Sequence, residues 1–329
     1  MDYIDLRDSG LRVSRLSLGT WALSGSKNWG ENNESDSART IHMALDNGIN
    51  LIDTAARYNN GIGEEVVGRA LKGCRDKAIV ATKIYTNDLA YDDAIRACDS
   101  CLQRLGLDHI DILQIHWASK TIPFEETMRA FEKMKADGKI RATGICNAGP
   151  MSIAGIKGYA VTNQLPYNLF WRQVEDTIIP ASVDAGMTIW PYCPLGQGLL
   201  TGKFKTLEDV PLPRREVRYY SSSWKQGLHH DTGFEKEIFG FLAKLSRVVE
   251  TSGIPMTALA LAFLKTRPYV GSVLIGARNE QQLALNMEMY SMDVPAEVMN
   301  EVMTLSDEVK PMMGTNPDMW QDASAGRVF

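Results

Sequence analysis

Residues 49–71, INLIDTAARYNNGIGEEVVGRAL, carry the pattern that decides the fold. The stretch opens with a short apolar run that leads into Asp53. After a polar loop, residues 63–71 place apolar side chains at helical spacing. An apolar strand followed by an amphipathic helix is the βα unit from which parallel sheets are built. This stretch therefore predicts a parallel sheet covered by helices.

The same unit recurs along the chain. Eight apolar runs are predicted to be strands, at 15–21, 49–55, 78–84, 111–117, 141–147, 160–166, 187–193 and 272–277. Helices are predicted at 36–47, 63–71, 92–105, 124–136, 151–158, 174–185, 257–265 and 280–287. Eight such units without a linker favour an α/β fold of the (β/α)8 barrel type, with residues 1–329 as one domain. A doubly wound sheet is the alternative, but the sequence lacks the GxGxxG motif that usually accompanies it.

Three segments lie outside the repeated units. Residues 3–14 alternate apolar and polar side chains around a turn, which predicts a β-hairpin that closes the barrel floor. A long loop at 202–232 follows strand seven, and residues 296–309 form a C-terminal helical extension before a tail that is expected to pack on the body. The loop either folds over an anionic ligand or is a solvated excursion. Its candidate residues are Lys203, Arg214, Arg215, Arg218, Tyr219 and Tyr220.

Composition excludes several classes of protein. Hydrophobic residues make up 44% and charged residues 23%, as in ordinary globular proteins. The net charge of -5 weighs against a nucleic-acid partner. No apolar stretch approaches the ~20 residues of a membrane span and no signal segment opens the chain, so we expect a cytoplasmic protein. The 5 cysteines are expected to be reduced thiols, and no metal site is predicted.

Polar residues close three consecutive predicted strands. Asp53, Lys83 and His116 stand at those ends, and Tyr58 follows Asp53 by five positions. Barrel enzymes place their reactive groups at the carboxyl ends of the strands, so these side chains are expected to converge. A Lys83 ammonium would lower the pKa of the Tyr58 phenol, and Asp53 would keep Lys83 charged. His116 would donate a hydrogen bond to a substrate oxygen or to the Tyr58 phenol, and the set suits proton delivery to a carbonyl.

The segments NLIDTAARYNNGIGEEVVGRAL, ATK and LQIHW together resemble the aldo-keto reductase superfamily, and the resemblance runs along nearly the whole chain. It implies that Asp53, Tyr58, Lys83 and His116 are the catalytic residues, with Tyr58 as general acid. It also implies a nicotinamide cofactor bound in extended form across the barrel mouth. NADP(H) is expected, with NAD(H) as the alternative, because Asn279 stands where relatives often have a second basic residue beside Arg278.

The resemblance also implies a set of ligand-binding residues. Asn147 and Gln164 correspond to residues that bind the carboxamide, Tyr192 to the one that stacks on the nicotinamide, and Arg278 to the one that binds the 2′-phosphate. Cys146 and Cys193 replace serines and are expected to be packed thiols. The cofactor residues are Thr20, Trp21, Asp53, Cys146, Asn147, Gln164, Tyr192, Cys193, Pro194, Leu195, Gly196, Gly198, Lys203, Gly276, Ala277, Arg278, Gln282 and Asn286. The expected substrate-pocket residues are Trp21, Tyr58, His116, Trp117, Phe170 and Trp171.

These observations predict an NAD(P)H-dependent reductase that converts a small aldehyde or ketone, with sugars and sugar derivatives among the candidates, to an alcohol. Lys203, Arg218 and Arg278 are expected to lie along the phosphate-bearing part of the cofactor. Two alternatives stay open. One is an NADP(H)-binding regulatory subunit with slow turnover, and the other is an alcohol or sugar dehydrogenase that works in the oxidative direction.

Overall fold

Eight parallel strands form a nearly closed barrel in the computed structural model, which describes residues 1–26, 28–31, 33–224, 227 and 229–329. A separate antiparallel hairpin joins β1 (Tyr3–Leu6) to β2 (Leu11–Ser14). The barrel strands are β3 (Leu16–Gly19), β4 (Leu51–Asp53), β5 (Ile79–Ile84), β6 (Ile110–Ile115), β7 (Ile140–Cys146), β8 (Ala160–Pro166), β9 (Thr188–Tyr192) and β10 (Val273–Gly276). β10 pairs with β3, and a parallel bridge from Ile189 to Val270 joins the last gap. The predicted barrel is confirmed.

Ten α-helices occur in the described part of the chain, and most cover the outside of the barrel. They are α1 (Glu34–Asp46), α2 (Ile62–Ala70), α3 (Tyr91–Leu105), α4 (Phe124–Ala136), α5 (Pro150–Gly155), α6 (Ile178–Asp184), α7 (Glu235–Ser252), α8 (Met256–Lys265), α9 (Glu280–Ser291) and α10 (Ala296–Val309). Each predicted helix overlaps one of them. No single helix in the described ranges is long and apolar enough to cross a membrane, although the sharply bent pair α7 and α8 meets those criteria when taken together.

Helix α7 is absent from the sequence prediction. It spans 18 residues and buries Ile238, Phe241, Leu242, Leu245 and Val248, positions that share one face of a helix. This face packs in the hydrophobic core, and α7 contacts α10. The pattern was present in the sequence, but the prediction assigned no element to residues 233–256.

The hairpin closes the amino-terminal end of the barrel. Leu6, Leu11 and Val13 join a small apolar cluster with the inward side chains of the strands, among them Leu51 and Ile112. Because side chains at i and i+2 of a strand point to the same face, the next inward layer is formed by the residues two positions further on. That layer holds polar side chains, and it lies at the carboxyl ends of the strands.

Substitution of Gly68 tests how closely α2 packs on α3. A Cβ added there would lie 2.0 Å from the main-chain oxygen of Leu105, whereas one added at Gly240 in α7 would meet nothing within 4 Å. Gly68→Ala is expected to lower the free energy of unfolding by about 1–3 kcal/mol through overpacking. Gly240→Ala is the control and should raise it by about 0.5–1 kcal/mol. Urea titration measures both, and equal effects would contradict the packing.

Candidate active site

Lys83 and Asp53 form a buried ion pair at the centre of the barrel mouth. Lys83 Nζ donates to Asp53 Oδ2 at 2.6 Å and to the carbonyl of Thr54 at 2.7 Å. It also lies 3.4 Å from the hydroxyl of Tyr58. The side chains of Lys83 and Asp53 are 0% and 2% exposed, whereas Tyr58 is half-buried. The structure therefore brings the predicted Asp, Lys and Tyr together.

Two amide side chains hold the other oxygen of Asp53. Gln164 Nε2 donates to Asp53 Oδ1 at 2.9 Å and Gln114 Nε2 at 3.2 Å. The sequence prediction placed Gln164 on the cofactor and omitted Gln114. The available signal was the inward register of Gln114, because it pairs with Lys83 in the β5–β6 ladder and lies two positions before His116. With both oxygens bonded, the Asp53 carboxylate cannot rotate away from Lys83.

Burial and charge act in opposite directions on this group. Burial raises the pKa of the Tyr58 phenol above its ordinary value, and the Lys83 ammonium only partly opposes that rise. Burial lowers the pKa of Lys83, but the neighbouring groups, Asp53 foremost among them, together outweigh burial and the net pKa is raised. Lys83 therefore lowers the Tyr58 pKa as expected, but burial raises it by more and the net pKa is raised, because the sequence alone carries no measure of desolvation. At neutral pH Tyr58 holds its proton and Lys83 is charged.

His116 stands at the end of β6 with its ring edge towards Tyr58. The ring centres are 6.4 Å apart, and Nδ1 of His116 is buried with no hydrogen-bond partner among the described residues. Burial, followed by the charges of Lys83, Arg57 and Arg327, lowers the pKa of His116 well below its ordinary value. The imidazole is therefore neutral at pH 7 and keeps one N–H to donate.

Aromatic side chains from both ends of the sequence meet beside Tyr58. Trp21 stacks on Tyr58 with a centroid distance of 6.3 Å and meets Trp320 of the C-terminal tail edge-on at 5.7 Å. Trp320 Nε1 donates to the Tyr192 hydroxyl at 3.2 Å, and that hydroxyl donates to Asn147 Oδ1 at 2.8 Å. The tail packs on the body as predicted, but the place of Trp320 in the mouth was missed.

Two expected pocket residues do not line the mouth. Phe170 and Trp171 are both 0% exposed, so neither offers surface to a substrate. Asn168 Oδ1 accepts the backbone N–H groups of both, which fixes a turn after β8, and both rings pack edge-on against Tyr219 of the long loop. The direction of a side chain after a strand depends on such turns, which the sequence did not reveal. Trp117 is also mostly buried, at 6% exposed.

The segment after β9 follows an unusual backbone path. Cys193, Gly196, Gln197 and Gly198 all have positive φ, from 51° to 100°. The path brings the chain close to its neighbours, since a Cβ at Gly196 would lie 2.6 Å from the Phe170 ring. Cys193 is half-buried, and burial raises its pKa to about 12. Cys146 is buried and its pKa is also raised by burial, so both thiols are protonated at neutral pH.

Three cations gather where this segment meets the 202–232 loop and the end of β10. Burial, with the charges of Arg214 and Arg278, lowers the pKa of Lys203, and burial with Arg278 lowers that of Arg214. In the described ranges no carboxylate forms an ion pair with any of the three. The Arg214 guanidinium lies 4.6 Å from the Trp29 ring centre. We call Lys203, Arg214 and Arg278 the cation cluster.

The long loop is not a solvated excursion. Its residues Val217, Tyr219 and Tyr220 are buried. Arg218 was expected on the cofactor, but it pairs with Asp231 and donates to the carbonyls of residues 316 and 318. It therefore ties the loop to the C-terminal tail, and Arg214 is the loop arginine that joins Lys203 and Arg278.

The turn between β10 and α9 is held by polar side chains expected on the cofactor. Gln282 Oε1 accepts the backbone N–H of Arg278 at 3.1 Å, and Asn286 Nδ2 donates to the Gly276 carbonyl at 3.2 Å. Asn279 caps α9 through its side-chain oxygen, which explains an asparagine at this position. The Arg278 guanidinium reaches across to the carbonyl of residue 31. Thr20 was also expected on the cofactor, and its hydroxyl donates to the main-chain carbonyl of Asp53.

A parallel barrel with Tyr58, Lys83, Asp53 and His116 gathered at the carboxyl ends of its strands is an arrangement found in a class of oxidoreductases. The profile of the Aldo/keto reductase family matches residues 15–307, and the chain belongs to that family. It is an oxidoreductase.

Relatives extend over almost the whole chain. The sequence is 34% identical to the aldo-keto reductase YhdN of Bacillus subtilis (strain 168), covering 94% of this chain and 97% of that protein. It is 30% identical to the NADH-specific methylglyoxal reductase of Escherichia coli (strain K12), with 92% and 98% covered. The solved structure of a glycerol dehydrogenase from Gluconobacter oxydans superimposes with a TM-score of 0.78 at 30% identity, covering 96% and 97%.

The depressed pKa of His116 predicts an acid-dependent loss of stability. In the unfolded chain a histidine takes up a proton below about pH 6.5, but the folded site keeps His116 neutral to a lower pH. Stability is therefore unaffected above that value and falls below it, by up to about 1.4 kcal/mol per pH unit from this group. Urea unfolding between pH 7 and pH 5 should show a smaller loss in His116→Gln than in the wild type. A parallel loss in both proteins would contradict a neutral, buried His116.

Proposed function

We propose that this protein reduces an aldehyde or ketone to an alcohol with NADP(H), and that Tyr58 is the proton donor. The observation that carries the proposal is the Tyr58 hydroxyl 3.4 Å from Lys83 Nζ, with the neutral His116 ring beside it. A protonated phenol, a fixed ammonium and a neutral imidazole at the carboxyl end of a barrel suit carbonyl chemistry. Sugars and sugar derivatives remain candidate substrates.

The residues at the barrel mouth fit a phosphate-bearing nicotinamide cofactor. The cation cluster holds three positive charges that repel one another and lack an acidic partner in the described structure, so a phosphate dianion would stabilise it. Nε of Arg278 and Nε1 of Trp29 are buried without a hydrogen-bond partner among the described residues. An aldo-keto reductase from Klebsiella pneumoniae, solved in complex with NADPH, superimposes with a TM-score of 0.72 at 24% identity.

Residues of this chain would hold the cofactor at three places. The cation cluster would bind the 2′-phosphate, the segment from Cys193 to Gly198 would follow the pyrophosphate, and Tyr192 with Asn147 would hold the nicotinamide. When bound, the nicotinamide supplies a hydride to the carbonyl carbon. Trp21 and Trp320 would exclude water from the reacting carbon, since their rings cover Tyr58 and Tyr192.

The route of the proton follows from the arrangement of the four polar side chains at the mouth. The neutral His116 donates its N–H to the carbonyl oxygen and orients it, and the Tyr58 hydroxyl transfers its proton to that oxygen as charge develops there. Lys83 Nζ stabilises the resulting phenolate, and Asp53 keeps the ammonium in place. The raised Tyr58 pKa keeps the proton on the phenol across the physiological range, so the rate of reduction is expected to fall at high pH.

Two relatives support the alternatives to a reductase. The Gluconobacter neighbour is a glycerol dehydrogenase, and the same residues would run the reaction backwards, with Tyr58 as phenolate base. A probable voltage-gated potassium channel subunit beta of Arabidopsis thaliana is 28% identical, with 88% of this chain and 90% of that protein covered. Purified protein with NADPH and a panel of sugars, simple aldehydes and cyclic ketones separates the reductase from a regulatory subunit with slow turnover. Tight NADPH binding without turnover of any carbonyl would contradict the reductase.

Removal of the Tyr58 hydroxyl tests the proton donor. Tyr58→Phe is expected to lower kcat by about 100-fold or more, because general acid catalysis contributes about that much, while the ring still packs on Trp21. Stopped-flow absorbance gives turnover and fluorescence titration gives NADPH affinity, which should stay within about twofold. A variant with the wild-type rate would show that another group supplies the proton.

The cation cluster predicts the choice between NADPH and NADH. Arg278→Ala and Arg214→Ala are each expected to weaken NADPH binding by about tenfold or more, in line with the loss of one charge-assisted hydrogen bond, and to change NADH binding much less. Arg247→Ala, an exposed change on α7, removes the same charge as a control. Isothermal titration with both cofactors measures the ratio. Equal losses for NADPH and NADH would contradict a 2′-phosphate site here.

A further inference from the structure

Arg57 places an uncompensated positive charge at the rim of the mouth. It directly precedes Tyr58, and its side chain is exposed. Its guanidinium carbon lies 4.7 Å from the centre of the Tyr85 ring, and that ring meets His116 edge-on at 5.9 Å. Within the part of the chain that the structure describes, no carboxylate lies within ion-pair distance of Arg57. The stacking on Tyr85 holds this cation beside the imidazole that would orient the carbonyl.

A second arginine stands near His116, in the C-terminal tail. The Arg327 guanidinium carbon lies 3.7 Å from the Trp117 ring centre, and its Nε and Nη2 both donate to Asp318 at 2.9 Å. Arg327 therefore has an acidic partner in Asp318, as Lys83 has in Asp53. Both arginines nevertheless act on His116, since their charges help to lower its pKa. The mouth is therefore positive around the carbonyl position, and Arg57 is the cation that is free to bind.

We propose that the preferred substrates are aldehydes or ketones that carry a carboxylate, and that Arg57 binds this carboxylate while His116 and Tyr58 engage the carbonyl. The inference rests on the proposed reductase function and names its substrate class. A guanidinium presents a planar fork that matches a carboxylate with two hydrogen bonds. The ring of Tyr85 packs on one face of the Arg57 guanidinium. The N–H groups that would bind the carboxylate are therefore held in place before the substrate arrives.

A matched pair of substrates tests the assignment. We expect kcat/KM with NADPH to be about tenfold higher for 4-carboxybenzaldehyde than for 4-formylbenzamide, mainly through KM, since a hydrogen bond to a charged group contributes about that much. The advantage should shrink in high salt, because an exposed charge pair is screened. An aliphatic aldehyde with a terminal carboxylate, compared with its amide, repeats the test without the aromatic ring.

Substitution of Arg57 tests whether this residue causes the preference for the carboxylate. Arg57→Gln is expected to reduce the acid-to-amide ratio of kcat/KM to about one, and Arg57→Lys to leave an intermediate ratio. Arg69→Gln is the control, because Arg69 is an exposed arginine on α2 that pairs with Glu34 and Glu65, and its ratio should equal that of the wild type.

The outcomes separate this inference from the function on which it rests. If neither aldehyde is reduced, the proposed reductase function fails. If both are reduced but the wild type shows a ratio near one, the carboxylate preference is wrong. If the wild type prefers the acid and Arg57→Gln keeps that preference, Arg57 is not the binding group.

Discussion

The buried pair of Lys83 and Asp53 is the interaction on which the site depends. Placing two charges in a barrel interior is costly unless each is fully bonded, and removal of one partner typically costs about 3–5 kcal/mol. Here Asp53 is bonded through both oxygens and Lys83 also reaches a main-chain carbonyl. The positions of Gln114, Gln164 and the Tyr58 loop follow from this requirement. The same bonds that stabilise the charges also hold Lys83 Nζ 3.4 Å from the Tyr58 hydroxyl.

The fold could be predicted because each strand of a parallel barrel is buried on both faces and reads as an apolar run that ends in a polar residue. All eight barrel strands were predicted from their apolar runs, although β10 ends at Gly276 and not at a polar residue. Helix α7 did not fit a one-strand, one-helix count and was missed, although its buried residues recur at helical spacing. The helical spacing of these residues was enough to predict the helix. It was missed because the prediction assumed one helix after each strand.

The site was predictable only where it lies on strand ends. Asp53, Lys83 and His116 belong to strands whose register fixes the direction of their side chains, so the structure brings them together. Phe170 and Trp171 belong to a turn, and the bonds of Asn168 rotate their rings into the core. Trp320 and Arg214 reach the mouth from segments with no periodic pattern. The pKa of Tyr58 also could not be predicted, because it depends on how much water the finished fold excludes.

The C-terminal tail is attached to the body by the buried side chains of Met313 and Met319 and by polar bonds, among them those from Arg218 of the long loop to the carbonyls of residues 316 and 318. It supplies Trp320 and Arg327 to the mouth, whereas Asp53, Lys83 and His116 stand at strand ends and Tyr58 in the loop after β4. The rim of the mouth and the buried ion pair therefore lie partly on separate pieces of the chain. Sequence changes in the tail can alter the shape and polarity of the opening while the layer of charged side chains beneath it stays intact, so the opening can diverge faster than that layer.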